Sequence, residues 1–175
     1  MDASITYGFL QVIPSEGVSY TGGLLVVDQD GKPVEFHCTA PVPENRSQKI
    51  FYGETWQSHV YCDLIAKSLI ESCNRKPELL FVEQVELVKL AGHIAAPVML
   101  VSLSNDEPST GSIEYPELQL DDLAVTVLTT DLGLIEFVKE ACGRFTTSLA
   151  MNEPFERIRI AISEAQQVTR QADAA

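Results

Sequence analysis

Apolar residues change their spacing along this chain, and each change marks an element. Ile5 to Ile13 alternates well enough to predict a first strand, closed by Pro14 and the Ser15-Glu16-Gly17 turn. Tyr20 to Asp28 predicts a second strand, in which Gly22-Gly23 marks a bulge or a close approach of another backbone. Val34 to Thr39 is the third, antiparallel to the second across Asp28-Gln29-Asp30-Gly31-Lys32-Pro33. Pro41 and Pro43 then end extended structure. From Thr55 to Cys73 the spacing turns helical: Trp56, Val60, Leu64 and Tyr61, Ile65, Leu69 recur at i, i+4. Asp63 and Lys67 pair on the other side of that helix, and Pro77 stops it.

Strands are predicted again at Glu78–Glu83 and Pro97–Leu103, both apolar enough for burial on two faces. Val85–Ile94 between them suits a short helix. Ser104–Glu117 is polar, with two prolines, and reads as a loop. Leu123–Thr129 predicts a strand, and Leu132–Cys142 a helix capped by Asp131 and closed by Gly143. A last helix begins at Asn152 with Pro154 in its first turn and frays after Arg170. The order β-β-β-α-β-α-β, then β-α-α, implies an α/β (or α+β) fold with a mixed sheet and helices on its faces. At 175 residues this is one domain, able to bury ~70% of its unfolded-state surface. Residues 104–122 are expected as an exposed acidic loop and 171–175 as a frayed tail.

Charge changes the picture next. The net charge is −13, and no Lys or Arg occurs between Leu90 and Val138, where eight acids lie. Such a field repels phosphate backbones over ~8 Å at physiological salt, so direct nucleic-acid binding is not expected, and a partner would be a protein, a basic one if it docks on this face. No apolar run approaches the ~20 residues that span a bilayer. The N-terminal segment carries Asp2 in place of the cations of a signal peptide, which predicts a cytoplasmic protein. Four cysteines without a C-x-x-C pair read as reduced thiols.

Some stretches resemble known families. The hairpin Val26-Val27-Asp28-Gln29-Asp30-Gly31-Lys32-Pro33-Val34-Glu35, with Pro77-Glu78-Leu79-Leu80-Phe81-Val82-Glu83 and Ala96-Pro97-Val98-Met99, resembles the RNase H-like topology, endonuclease V in particular, over residues 5–103. The run Gly-Gly-Leu-Leu-Val-Val-Asp through Pro-Val-Glu-Phe-His is similar to a family of bacterial proteins. A roadblock- or longin-like α/β module matches the hairpin, helix and strand as well.

The first resemblance implies a nuclease with several carboxylates converging on divalent ions, one of them in the first strand. Ile5–Ile13 holds no carboxylate. Glu83 matches one of the family's acids by position, and Asp63 or Glu71 would supply a helical one. A zinc site drawn from His37, His59, Cys62 and His93 is a further alternative: His59 and Cys62 stand at i, i+3, while adjacent His37 and Cys38 point to opposite strand faces. A thiol nucleophile is disfavoured, since Cys62 lies two turns into a helix in an acidic chain. Between Pro43 and Trp56 lies the densest mixture of cation and aromatic: Arg46, Lys49, Phe51, Tyr52 and Trp56, types enriched at binding hot spots. With no complete catalytic set, the sequence points to a non-catalytic adaptor or accessory subunit that binds another protein through this loop and needs no cofactor. The alternative is a metal-dependent, nuclease-like hydrolase using clustered carboxylates.

Overall fold

The computed structural model describes residues 5–15, 17–103, 115–120, 122–146 and 150–173. Its centre is a mixed sheet. β1 (Tyr7–Ser15), β2 (Ser19–Val27) and β3 (Pro33–Cys38) form an antiparallel meander. A two-residue strand, β4 (Val42–Pro43), pairs with the start of β2. β5 (Leu79–Val82) and β6 (Val98–Leu103) extend the sheet parallel to β1, and β8 (Leu123–Val127) and β7 (Glu117–Leu120) close its far side antiparallel. The order across the sheet is β3-β2-β1-β5-β6-β8-β7.

Strand alternation sends successive residues to opposite faces, and each face has its own core. On one, Tyr7, Phe9, Phe81 and Val125 meet α4 (Leu132–Thr146) and α5 (Glu153–Asp173) through Phe145, Phe155 and Ile158. On the other, Leu10, Leu24, Leu80 and Leu100 meet Val60, Ile65 and Leu69. Those three belong to a continuous rod: α2 (Trp56–Ser58), a π-helical segment (His59–Ala66) and α3 (Lys67–Ser72). A 3₁₀ helix, Val85–Leu90, joins β5 to β6 under this rod. No helix among the described residues is long and apolar enough to cross a membrane.

The glycine pair shows how the helices come so close. A Cβ on Gly22 would lie 2.1 Å from Ile65 Cγ2 in the rod, and one on Gly23 2.6 Å from Ile158 Cγ2 in α5. Neighbouring residues of one strand thus seat helices on opposite faces.

Several expected boundaries move, for physical reasons. Pro14 does not end β1, because β5 pairs only with Tyr7–Leu10 and leaves the later residues of that side unladdered. Leu64, expected in the buried stripe, is exposed, while Cys62 and Ala66 are buried. The i→i+5 winding adds a residue per turn and rotates the stripe. The 43–56 loop contains a helix, α1 (Arg46–Tyr52), whose cap Asn45 accepts from the Gln48 N–H. Asp131 caps α4 as expected by accepting from the Leu134 N–H, but α4 runs on through Gly143 because Phe145 has a place in the core. Of the expected acidic loop, residues 104–114 and Asp121 lie outside the described residues, while Glu117–Leu120 pairs as β7.

Candidate functional site at the ends of β1 and β5

Glu83 follows β5 directly and lies beside β1. In the parallel register Leu10 faces Val82, so the next residues, Gln11 and Glu83, come side by side. Both point to the face covered by α5. Gln11 Nε2 donates to Glu83 Oε2 at 3.0 Å, and Arg159 Nη2 of α5 donates to the same oxygen at 2.6 Å. Arg159 Nη1 donates to Glu156 Oε2 at 2.9 Å, so one guanidinium joins two carboxylates. Burial pushes the Glu83 carboxyl above its ordinary range, and the Arg159 charge opposes that shift. Gln11 Oε1 is buried with no hydrogen-bond partner.

Gln84 holds this pair in place. Its side-chain amide accepts from Val12 N–H and donates to Val12 C=O, both at 2.8 Å, which continues the β1 ladder beyond the end of β5. Gly23, which faces Gln11 across β1–β2, lets α5 approach closely enough for Arg159 to reach Glu83. Two residues earlier on α5, Arg157 Nη1 donates to Gly31 C=O of the β2–β3 turn at 2.8 Å and ties the helix to the hairpin.

The carboxylates grouped from the sequence do not converge. Asp63 and Glu71 belong to the rod on the opposite face of the sheet from the Glu83 carboxylate, and both are exposed. Asp63 is held below the usual carboxylate range by Lys67, with His59 adding to it. The zinc grouping divides as well. His59, Cys62 and His93 line one cavity of about 290 Å³ with Asp63, Lys67 and Lys89. Within it His59 turns to Asp63, and the Cys62 thiol, pushed up to about 11 by burial, donates to the Glu86 carbonyl. His37 lies elsewhere, on β3, where Glu35, His37 and Cys73 bring ligand atoms within 4.8 Å of one another. The expectation that no cofactor is involved therefore lacks support.

The cation and aromatic cluster is split between surface and core. Arg46, Lys49, Phe51 and Tyr52 are exposed on α1, Phe51 at 86%, whereas Trp56 is only 4% exposed and belongs to the core. Lys49 bonds Glu44, and Tyr52 stacks on His59 at 4.1 Å. α1 stands at the same end of the sheet as Glu83. β4, just before it, pairs with Ser19 and Tyr20, which face Ser15 and Pro14 at the C-terminal end of β1. β5 is parallel to β1, so Glu83 leaves the sheet at that end too. The ends of parallel strands are where open α/β sheets bind ligands.

Sequence reading missed Gln11, Glu156 and Arg159. Gln11 was legible as the one polar residue in Phe9–Ile13; the other two lie on the solvent side of a helix, and only its seat on the sheet makes them part of a site.

No protein-family model matches the chain, and no curated protein matches it in sequence. Its fold is that of solved endonuclease V structures. Human endonuclease V superposes with a TM-score of 0.52 at 14% identity, over 97% of this chain and 87% of that one. Ciona intestinalis endonuclease V, bound to a DNA containing inosine followed by a ribo-adenosine, gives 0.50 at 12% identity, over 94% and 88%. The RNase H-like resemblance therefore extends from residues 5–103 to nearly the whole chain. Two expectations are corrected by this likeness. The adaptor reading rested on the absence of a complete catalytic set, whereas the solved structures that share this fold are those of endonucleases. The exclusion of nucleic acid rested on the net charge and on the cation-free stretch between Leu90 and Val138, whereas these two solved structures that share this fold are endonucleases, one of them bound to DNA.

Proposed function

We propose that this protein acts on nucleic acid as a nuclease-like hydrolase, with its chemistry organised about Glu83. The observation that carries the reading is the placement of Glu83 and Gln11 at the same sheet end as the exposed α1 helix, in a fold shared with endonuclease V. A divalent cation suits the donors at that end: Gln11 Oε1 is a buried oxygen without a partner, and Glu83 and Glu156 already share a cation, the Arg159 guanidinium. These are hard oxygen ligands of the kind Mg²⁺ and Mn²⁺ take. When bound, such an ion polarises a phosphodiester and lowers the pKa of a coordinated water. Arg159, partly exposed, is free to exchange its carboxylates for a phosphate oxygen. Glu83, its proton affinity raised by burial, holds or releases a proton at its carboxylate near the reacting centre.

Substrate contact is supplied locally, against the overall charge. Arg46 and Lys49 face phosphates and Phe51 offers a ring to an unstacked base, a combination that binds single strands with little sequence preference. Fluorescence anisotropy with inosine-containing single- and double-stranded DNA, together with a gel assay in Mg²⁺ and Mn²⁺, tests both halves. Arg46→Ala/Lys49→Ala is expected to weaken binding and to reduce the salt slope by about 2. Glu83→Gln is expected to remove cleavage and leave binding in place. Absence of binding removes the reading, and binding without metal-dependent cleavage removes its hydrolytic half.

A further inference from the structure

A second group of ligand atoms lies three strands from Glu83, at the outer edge of the sheet. Glu35 and His37, two apart on β3, point to the same face, and Cys73 closes α3 directly above them. Carboxylate oxygen, imidazole nitrogen and thiol sulfur all fall within 4.8 Å of one another. The three donors are chemically distinct, and the set of Cys, His and Glu matches a borderline divalent ion better than the all-oxygen ligation Mg²⁺ prefers.

The surroundings are built around the carboxylate. Glu35 Oε1 accepts from Asn74 N–H at 3.0 Å and Asn74 Nδ2 at 2.9 Å, and Oε2 from Arg75 N–H at 2.9 Å. All three are N–H donors, which suit the ionised carboxylate and orient it. They fix the carboxylate as outer-shell hydrogen bonds fix metal ligands in general. His37 Nε2 sits 2.8 Å from Glu35 Oε1, so one ring nitrogen already faces the centre of the group. Cys73 is buried and its thiol is free of any disulfide. The His37 side chain is 26% exposed, so solvent reaches the group from its side and a water is the natural fourth ligand.

We infer that Glu35, His37 and Cys73 form a Zn²⁺ site that clips β3 to the end of α3. On binding, a Zn–S bond forms as Cys73 gives up its thiol proton to solvent, and His37 Nε2 releases the proton it donates to Glu35 as the neutral ring takes up one at Nδ1, which frees the Nε2 lone pair for the ion. Glu35 keeps its three N–H donors from Asn74 and Arg75. The site is separate from the proposed nucleic-acid end of the sheet and stands or falls without it.

Co²⁺ titration of the chelator-treated full chain tests the inference, because thiolate ligation produces a near-ultraviolet charge-transfer band. A band that saturates with a single equivalent of Co²⁺ and is erased by Zn²⁺ is expected. Cys73→Ser and His37→Gln are each expected to abolish it, and Cys62→Ser and Cys38→Ser to leave it intact. Should Cys73→Ser fail to fold by circular dichroism, His37→Gln at its partly exposed position carries the test. No band in the wild type, a band retained in His37→Gln, or one lost with Cys38→Ser overturns the site.

Discussion

The two faces of the sheet differ in what fills them, although the strands deal out residues to both in strict alternation. The face beneath α4 and α5 is aromatic. Tyr7 and Phe9 meet Phe145 with ring centroids 4.8 and 5.6 Å apart, Phe9 meets Phe81 at 5.0 Å, and Phe155 meets Phe9 edge-on at 5.3 Å. The face beneath the rod is mainly Leu, Val and Ile with Cys62 and Cys73, and its buried rings, Trp56 and Tyr61, belong to the rod and not to the strands. Aromatic contacts have preferred geometries, whereas aliphatic packing is largely non-directional. The Gln11–Glu83–Arg159 group lies on the directional face, where ring packing holds α5 at a set height and angle. The mainly aliphatic face has a single strand-to-rod ring contact among the described residues, Tyr20 with Tyr61 at 5.5 Å, and there the winding departs from α-helical.

The largest effect should come from emptying each face at neighbouring positions of β1. Phe9→Ala is expected to cost about 3–5 kcal/mol and Leu10→Ala about 2–5 kcal/mol by denaturant unfolding. Only Phe9→Ala should also alter the titration of Glu83, because it loosens the seat of α5. Equal changes in that titration would remove the distinction drawn here.

Overfilling gives the next comparison. Gly22→Ala and Gly23→Ala should each cost about 1–3 kcal/mol. Gly22 should cost more, since its added methyl meets Ile65 at 2.1 Å against 2.6 Å for Gly23 and Ile158. Thermal unfolding of the two variants ranks them, and the reverse order would mean that α5 yields less than the rod.

Alkaline titration follows. Burial pushes Tyr7 and Cys142 up to about 12 on the aromatic face, and Cys62 and Cys73 up to about 11 on the other. These groups are favoured neutral in the folded chain, so the stability they contribute is complete below the unfolded values and falls as pH rises through the folded ones. Unfolding free energy should therefore decline from about pH 9 upward. Tyr7→Phe should remove part of the decline, and about 1 kcal/mol at neutral pH with the bond from its hydroxyl to Ala141 C=O. A flat profile between pH 9 and 11 would show that these groups are hydrated in the folded state.

The smallest change in stability is expected for Arg159→Ala, within about 1 kcal/mol, as for other partly exposed ion pairs. Its effect on Glu83 should be plain all the same. With the opposing charge gone, the carboxyl should titrate at higher pH, as read from its ¹³C shift. An unchanged midpoint would mean that Arg159 does not govern this carboxylate.

Strand periodicity, the Asp131 cap of α4 and the close approach at Gly22-Gly23 were legible because each depends on neighbours in sequence. α1 was not, since it buries no residue and leaves apolar spacing nothing to follow. β7 was hidden by its shortness and by the polar run before it. Leu64 followed the α-helical period in sequence, and a π segment took it elsewhere. The candidate site was half legible. Glu83 could be picked out at a strand end, but its companions are set by register, which juxtaposes Gln11, and by a helix nearly eighty residues further on. Asp63 and Glu71 looked equally suitable in type, and the sheet itself divides them from Glu83.

Gln84 has a consequence for the rigidity of this corner. A glutamine amide impersonates a peptide group there, giving and taking one bond each with Val12 where the real strand has already turned away. An acid in its place would keep the acceptor, lose the donor and set a negative oxygen against the Val12 carbonyl. Glu83 would then hang from a free chain end rather than a bolted one, so a single-atom exchange next door would unfasten the carboxylate without touching it.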